Sequence, residues 1–360
     1  MEIVFTTVYY LPHLGGVEVY IDTIAKYMIG IGYEATVIVT DLSINSVSYD
    51  EINGVRVVRI PSRKIGGFFY LKDKKNIDTI NKEIENADIV HVNAPKFLYG
   101  YFAKKKAEYG YRLIASSHGW FYHTKKFRAI KDFYFKNTIV KYADYYDGII
   151  NVSYQDLEIA KSFGLKKSIV IQNGVDIYKY ANLPAKELFT NTFVYWGRIS
   201  RNKGIMECLK KLNSYQGNFT FNLIGNCGDE KYKAELDEYI TSHEMKNKVH
   251  FLGRKTDEEI KQYLADADMI LMPSLHEGFG MTLAECLLSG RPIIANTNDS
   301  FKVILHSVNA DEYLFDYENP STDFRKKVEE LKSAQIELKN VEQYSTEQMI
   351  KNTLSVYGVS

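Results

Sequence analysis

The run Glu277-Gly278-Phe279-Gly280-Met281-Thr282-Leu283-Ala284-Glu285 sets two carboxylates eight residues apart around a glycine-containing turn that opens a helix. Gly278 and Gly280 carry no Cβ, so backbone there can come close to a ligand. The N–H groups of Phe279 to Leu283 lack intrahelical partners at a helix start and point outward, a ready site for phosphate. Glu277 and Glu285 are poor phosphate ligands but good acceptors for the hydroxyls of a sugar and a ribose. The combination suggests a nucleotide-sugar.

A second group fits the same ligand. Tyr195-Trp196-Gly197-Arg198-Ile199-Ser200-Arg201-Asn202-Lys203-Gly204 follows a strand pattern and precedes a helix pattern. Arg198 and Lys203 stand five apart on that loop, where both can turn onto one anion. Arg offers a planar fork to phosphate oxygens and Lys a mobile point charge. A solvated basic turn would carry the same letters, but the Glu277 loop favours the anion. Metal chemistry has little support. His118 and His123 lack convincing ligand spacing and a third partner. Asp266-Ala267-Asp268 spells DxD, but it reads as a helix end running into the strand Met269–Met272, so no metal is assigned.

These residues need elements to position them. At 360 residues the chain is long for one core and comfortable for two, and 45% apolar with 25% charged residues is an ordinary globular balance. Strand patterns at Ile3–Tyr9, Ala35–Thr40, Val55–Ile60, Asp88–Val92, Arg112–Ser116, Gly148–Val152 and Ile169–Gln172 alternate with helix patterns such as Val17–Ile29, Asp73–Asn86 and Lys96–Tyr109. A second series runs through Thr192–Trp196, Phe219–Ile224, Lys248–Leu252, Met269–Met272 and Pro292–Ala295. Its helix patterns are Gly204–Asn213, Lys231–His243, Asp257–Ala265 and Met281–Leu288. Alternation of this kind predicts an α/β protein with two Rossmann-like parallel-sheet domains. The expected domains are 1–178 and 179–340, with a terminal helix over 341–360 packing back on the first, and ligand bound in a central cleft beyond the strand ends.

Taken together, Gly15-Gly16-Val17-Glu18, His118-Gly119, Asn173-Gly174-Val175-Asp176, Gly197-Arg198 with Lys203-Gly204, Leu223-Ile224-Gly225, Phe251-Leu252-Gly253 and Glu277 through Glu285 resemble, in order and over nearly the whole chain, the retaining GT-B glycosyltransferases of family 4. The Gly15-Gly16 pair is weak alone; the Arg/Lys pair with two spaced glutamates is strong. The resemblance implies that Arg198 and Lys203 hold the donor pyrophosphate and that Glu277 contacts donor-sugar hydroxyls near the amides of Phe279 and Gly280. By the same resemblance the Met281 and Thr282 amides face phosphate, Glu285 binds the ribose, and Arg254 and Lys255 lie in the base-binding loop. Gly15 and Gly16 would bring backbone to phosphate, and His118 would lie beside the donor and acceptor sugars. His118, Arg198, Lys203 and Glu277 are thus the expected catalytic set, with no cofactor beyond the nucleotide-sugar substrate. Two departures stand out: Trp120 replaces the usual Gly after His118-Gly119, and Asn296-Thr297-Asn298-Asp299-Ser300 replaces a paired-glycine turn followed by an acid.

The resemblance implies transfer of a hexose, from GDP-mannose or a UDP-hexose, to a lipid-linked or oligosaccharide acceptor in bacterial surface polysaccharide synthesis. A nucleotide-sugar epimerase or phosphorylase of the same fold, or a two-domain sugar-binding protein without chemistry, are the alternatives. Net charge is zero, but over residues 61–142 cations outnumber acids by more than two to one and aromatics are interleaved. Arg63–Lys75 and Tyr122–Tyr142 suit an anionic membrane surface. No nucleic-acid partner is expected. Cys208, Cys227 and Cys286 cannot pair evenly, and neither a signal peptide nor a spanning segment is visible, so the expected location is the cytoplasm or the inner face of its membrane.

Overall fold

Parallel strands buried on both faces lose the polar–apolar alternation of a surface strand, and Ile3, Val4 and Phe5 show this at the centre of the first sheet. The computed structural model describes residues 1–360 except 14, 66, 94, 121–127, 216, 333, 335 and 360. Its chain divides into two units, Met1–Gly174 with Glu347–Ser360, and Val175–Thr346.

The strands of the first unit are β1 (Glu2–Thr7), β2 (Glu34–Asp41), β3 (Ser48–Ile52), β4 (Val55–Ile65), β5 (Phe68–Leu71), β6 (Ile89–Val92), β7 (Arg112–Ser116), β8 (Gly148–Asn151) and β9 (Ser168–Val170). They are ordered β3-β4-β2-β1-β6-β7-β8-β9, with β5 also on β4. All pairs are parallel except β3–β4 and β4–β5. The β3–β4 hairpin turns on Asn53 (φ 56°) and Gly54 (φ 79°), the left-handed pair of a two-residue hairpin loop. One sheet face buries Ile3 and Phe5 against the helix Gly16–Gly30 and against Met349, Ile350 and Tyr357 of the terminal helix Thr346–Tyr357; Val4 serves the other face.

The second unit orders β10 (Thr192–Trp196), β11 (Thr220–Ile224), β12 (Val249–Gly253), β13 (Met269–Met272), β14 (Ile293–Asn296) and β15 (Leu314–Phe315) as β12-β11-β10-β13-β14-β15, all parallel. Two parallel α/β units therefore stand where two were expected. The divisions fall at 174/175 and 346/347 rather than 178/179 and 340/341. The reason is packing: Val175, Ile177 and Tyr180 belong to the second core, as do Val341 and Tyr344, and Val175 bridges Ser345.

Other differences are local. Within the cationic stretch, an α-helix at Arg128–Tyr134 is followed by a π-turn at Phe135–Val140. The helices Tyr154–Ser162, Asp299–Ser307 and Phe324–Lys332 add to those expected. No helix among the described residues is long and apolar enough to cross a membrane.

Gly204 fixes how two segments of the second unit meet. Its φ is +64°, and a Cβ there would lie 2.0 Å from the Pro273 carbonyl oxygen. Backbone cannot retreat as a flexible side chain can, so Gly204→Ala is expected to destabilise the protein by about 2 kcal/mol or more, read as a lower urea midpoint.

Candidate active site

The close approach at Gly204 brings the loop after β10 against the segment after β13. The N–H groups of Leu275 and His276 both donate to the Asn202 carbonyl, at 2.9 and 3.3 Å. Lys203, in the single 3-10 turn Arg201–Lys203, is thereby set against Glu277, and Nζ pairs with Oε1. Both side chains are mostly buried. Behind them Gly225 passes so near Gly197 that a Cβ would stand 1.9 Å from its carbonyl oxygen. The Tyr195 hydroxyl donates to the Arg198 carbonyl at 2.9 Å, and burial, reinforced by Glu277, raises its phenol well above the ordinary range. Arg198 itself is exposed, and no described carboxylate forms an ion pair with it.

The turn after Glu277 uses glycine for a steric reason. Gly280 has φ +105°, and a Cβ would meet Phe301 at 2.8 Å. The helix Met281–Cys286 follows, and the Ala284 N–H bonds back to the Gly280 carbonyl at 3.1 Å. The amides of Met281, Thr282 and Leu283 thus precede the helix's own ladder. The departure at Asn296–Ser300 has a use here. Asn296 and Asn298 donate to the Ser274 carbonyl at 3.2 and 2.8 Å, and Ser300 donates to the Glu277 carbonyl at 2.9 Å. Side chains staple the Glu277 loop where a glycine pair would leave it unbraced.

Glu285 is largely buried, and its partner is one the sequence did not single out. Lys179 Nζ lies 3.5 Å from Glu285 Oε1 and 2.9 Å from Asp257 Oδ1, while the Tyr180 hydroxyl donates to the same Asp257 oxygen at 3.2 Å. Burial raises the Glu285 carboxyl above its usual range, with Lys179 opposing. For Lys179 burial works against the charge, but Glu285 and Asp257 outweigh it and hold the ammonium above its ordinary value. Lys179 was missed because it follows the Asn173–Asp176 motif at an expected domain edge. Arg254 is exposed, whereas Lys255 is engaged with Glu259 at 3.0 Å beside the Thr256 capping box.

The first unit carries the other expected residues. Gly15 caps the helix that Gly16 begins, and the buried Glu18 carboxylate crowds the space over Gly15, accepting from or pairing with His13 Nδ1 at 2.8 Å. His118 follows β7 with φ 43°, its Nε2 3.0 Å from Asn93 Oδ1 and its ring edge-on to Tyr20 at 5.0 Å. Burial pulls its pKa down to about 4. Beneath it, His91 is bonded on both nitrogens, Nδ1 to the Tyr357 hydroxyl at 2.6 Å and Nε2 to Ser116 Oγ at 2.8 Å. Burial, then His118, lowers its pKa to about 3. Trp120 shares the left-handed backbone of Gly119, with φ 43°, a strain of about 1–3 kcal/mol offset by a buried indole that donates to Asn151 Oδ1 and the Asp156 carbonyl, both at 3.2 Å.

Asp268 of the DxD run is buried against Lys186 at 2.8 Å and accepts from the Thr190 and Thr192 amides, a structural use. Among the described residues no three His, Cys, Asp or Glu side chains are grouped as a metal would need. His123 and Tyr122–Phe127 lie outside the described residues. Cys208 and Cys286 are core residues.

Two parallel α/β units, the second presenting a cation loop and a glycine turn flanked by carboxylates at its strand ends, define a glycosyltransferase of the GT-B fold. Residues 14–179 match the model "Glycosyltransferase Family 4" and residues 182–348 match "Glycosyl transferases group 1". The chain belongs to glycosyltransferase family 4. It is 27% identical over 309 residues to the GDP-mannose:cellobiosyl-diphosphopolyprenol alpha-mannosyltransferase of Xanthomonas campestris, covering 82% of this chain and 79% of that protein. It is 30% identical over 198 residues to an O-antigen chain mannosyltransferase of Salmonella typhimurium, covering 54% and 51%. In fold it is similar to HepE of Anabaena in complex with UDP, with TM-score 0.75, 18% identity and coverage of 99% and 100%.

Two pH effects follow. Glu285 has a raised folded pKa, so its contribution to stability falls as pH rises from the unfolded value of 4.5. Removing Lys179 lifts the pKa further, so Lys179→Met should lower the urea midpoint more at pH 7.5 than at pH 5, and Glu285→Gln should remove that difference. His118 and His91 have lowered folded pKa values, about 4 and about 3, so unfolding takes up protons between pH 6.5 and about 3. Stability should decline as pH drops through that window, and His91→Gln should flatten the decline.

Proposed function

We propose that this chain is a retaining hexosyltransferase that moves a sugar from a nucleotide diphosphate to a lipid-linked saccharide in bacterial surface polysaccharide synthesis. The observation that carries the reading is that one unit sets the Lys203–Glu277 pair at a glycine turn, with Glu285 on the helix that follows and Arg198 exposed on the loop that carries Lys203. GDP-mannose is the favoured donor, with UDP-hexoses next, because the relatives named above act on mannosyl donors. The lipid-linked acceptor is supported by the first of these names, which prints a diphosphopolyprenol acceptor, and by the cationic, aromatic character of residues 61–142, which suits peripheral contact with an anionic membrane.

In the reaction the bond from the anomeric carbon to the donor phosphate breaks, and the nucleoside diphosphate leaves with the electron pair. The acceptor oxygen bonds to the same face of that carbon, and its proton passes to the departing phosphate oxygen. Negative charge grows on the leaving diphosphate, where Arg198, Lys203 and the amides of Met281 and Thr282 offset it. Glu277 accepts from donor-sugar hydroxyls rather than attacking carbon, since its carboxylate is shared with Lys203. The Phe279 and Gly280 amides line the sugar side. Glu285, oriented by Lys179, accepts from the ribose, Arg254 and Lys255 flank the base, and Gly15 and Gly16 bring backbone toward phosphate. A neutral His118 serves as a hydrogen-bonding group beside the reacting sugars. No step calls on a metal.

Purified protein given labelled GDP-mannose or UDP-hexoses with a polyprenyl-diphosphate sugar should form an extended product with the donor's anomeric configuration, and chelator should leave the rate unchanged. Arg198→Ala and Lys203→Ala should each lower kcat by about 10²–10³-fold. Full turnover in both variants would sink the assignment.

A further inference from the structure

Asn93 decides which nitrogen of His118 carries the proton. It is buried just after β6, and its own N–H donates to the Thr6 carbonyl at 2.8 Å, which anchors it at the strand ends. Its side-chain Nδ2 donates to the His91 carbonyl at 3.1 Å. A backbone carbonyl only accepts, so that bond settles which end of the amide is nitrogen. The oxygen end is left 3.0 Å from His118 Nε2, and an amide oxygen takes a hydrogen bond only from a donor. Nε2 therefore holds the hydrogen. In a neutral imidazole the other nitrogen, Nδ1, then keeps its lone pair.

The backbone on either side of His118 is tied down as well. The Ser117 N–H donates to the Ile150 carbonyl at 2.9 Å, and the Trp120 N–H closes the turn on the Ser117 carbonyl at 3.1 Å. The Gly119 N–H donates to Asp156 Oδ2 at 2.8 Å, and the Ser117 hydroxyl donates to the same oxygen. Tyr20 of the helix Gly16–Gly30 stands edge-on to both imidazoles, 5.0 Å from His118 and 6.1 Å from His91. The ring is thus faced by Tyr20, His91 and Asn93, while the nearby Asp156 carboxylate is engaged by the loop backbone and Ser117. Among the described residues nothing bonds Nδ1, and His118 is partly exposed.

We infer that Asn93 is a positioning residue that locks His118 as its Nε2–H tautomer, so that Nδ1 accepts a hydrogen bond from a sugar hydroxyl. The inference deepens the role given to His118 above and rests on that reading. A lone pair at Nδ1 selects for a group that can donate. A hydroxyl does so; a carboxylate or carbonyl oxygen sets lone pair against lone pair. The substrate favoured at this point is a neutral sugar with a free hydroxyl, and a uronic acid carboxylate there is disfavoured. An Nδ1–H tautomer would reverse that choice. Burial holds the ring neutral down to a pKa of about 4, so the lone pair persists through the neutral range.

The tautomer is read from long-range proton–nitrogen NMR spectra of protein carrying nitrogen-15 histidine, with His118→Gln assigning the signals. At neutral pH His118 Nδ1 should appear unprotonated and Nε2 protonated. Asn93→Leu should move both signals toward values averaged over the two tautomers, while the His91 ring signals stay in place and show the core folded. Asn93→Asp keeps the acceptor but adds charge, so the tautomer should be retained and the protonation midpoint of His118 raised by about one unit or more. A protonated Nδ1 in the wild type, or a His118 spectrum that Asn93→Leu leaves unchanged, would overturn the lock. With the donor and acceptor the wild type turns over, single sugar hydroxyls are then replaced in turn by hydrogen and by fluorine. One position should lose about tenfold in kcat/KM with either replacement, since neither donates, and lose nothing further in His118→Ala. A position coupled to His118 at which fluorine keeps the rate that hydrogen loses would mean that His118 donates, and would overturn the acceptor role. Coupling of no hydroxyl to His118 would overturn that role together with the reading it rests on. The spectra need no substrate, so they tell that failure apart from a failure of the lock.

Discussion

The second unit depends on one steric constraint, the backbone contact of Gly204 with the Pro273 carbonyl. A Cβ at 204 would press the two segments apart and disturb the approach of Lys203 to Glu277. The same logic repeats behind it, where Gly225 passes Gly197. Glycines here act less by supplying a flexible loop than by letting two loops touch, so that a cation and a carboxylate from distant parts of the chain share one place. Lys203 and Glu277 offset each other's charge; in the proposed reaction a diphosphate would compete with Glu277 for Lys203 and leave the carboxylate open to hydroxyls.

Burial then sets the charge state of each remaining group. Glu285 is pushed toward its neutral form by its surroundings and kept ionisable by Lys179, which Asp257 in turn steadies. In the first unit the outcome is reversed. Among the described residues no carboxylate bonds the rings of His118 and His91; Asn93, Ser116 and Tyr357 bond them as neutral imidazoles. The terminal helix thus contributes more than apolar cover, because Tyr357 fixes the ring beneath His118. The second unit thus holds a pair of opposite charges at its glycine turn, and the first a pair of neutral imidazoles at its strand ends.

Much of this was legible before any fold was known. Spacing along single segments disclosed the Arg198/Lys203 loop, the glycine turn and the two carboxylates, since a strand–loop–helix unit keeps its chemistry within about ten residues. The parallel strands were equally plain, because burial on both faces leaves unbroken apolar runs such as Ile3–Phe5 and Met269–Met272. The antiparallel edge at β3 was not, though Asn53-Gly54 signals its hairpin, because Ser48–Ile52 is largely exposed and carries no apolar run. The break of the Arg128–Val140 helix into a π-turn likewise leaves no mark in periodicity.

Sequence alone therefore determined the architecture of parallel sheets, the family, and the segments that carry the candidate cations, glycine turn and carboxylates, because each is written in local periodicity or short spacing. Tertiary structure decided which charges meet. Lys179 with Glu285, Asn296–Ser300 with the Glu277 loop, and Tyr357 with His91 are joined across tens to hundreds of residues. Such pairings arise from chain crossings and sheet register, and no window along the chain contains both partners.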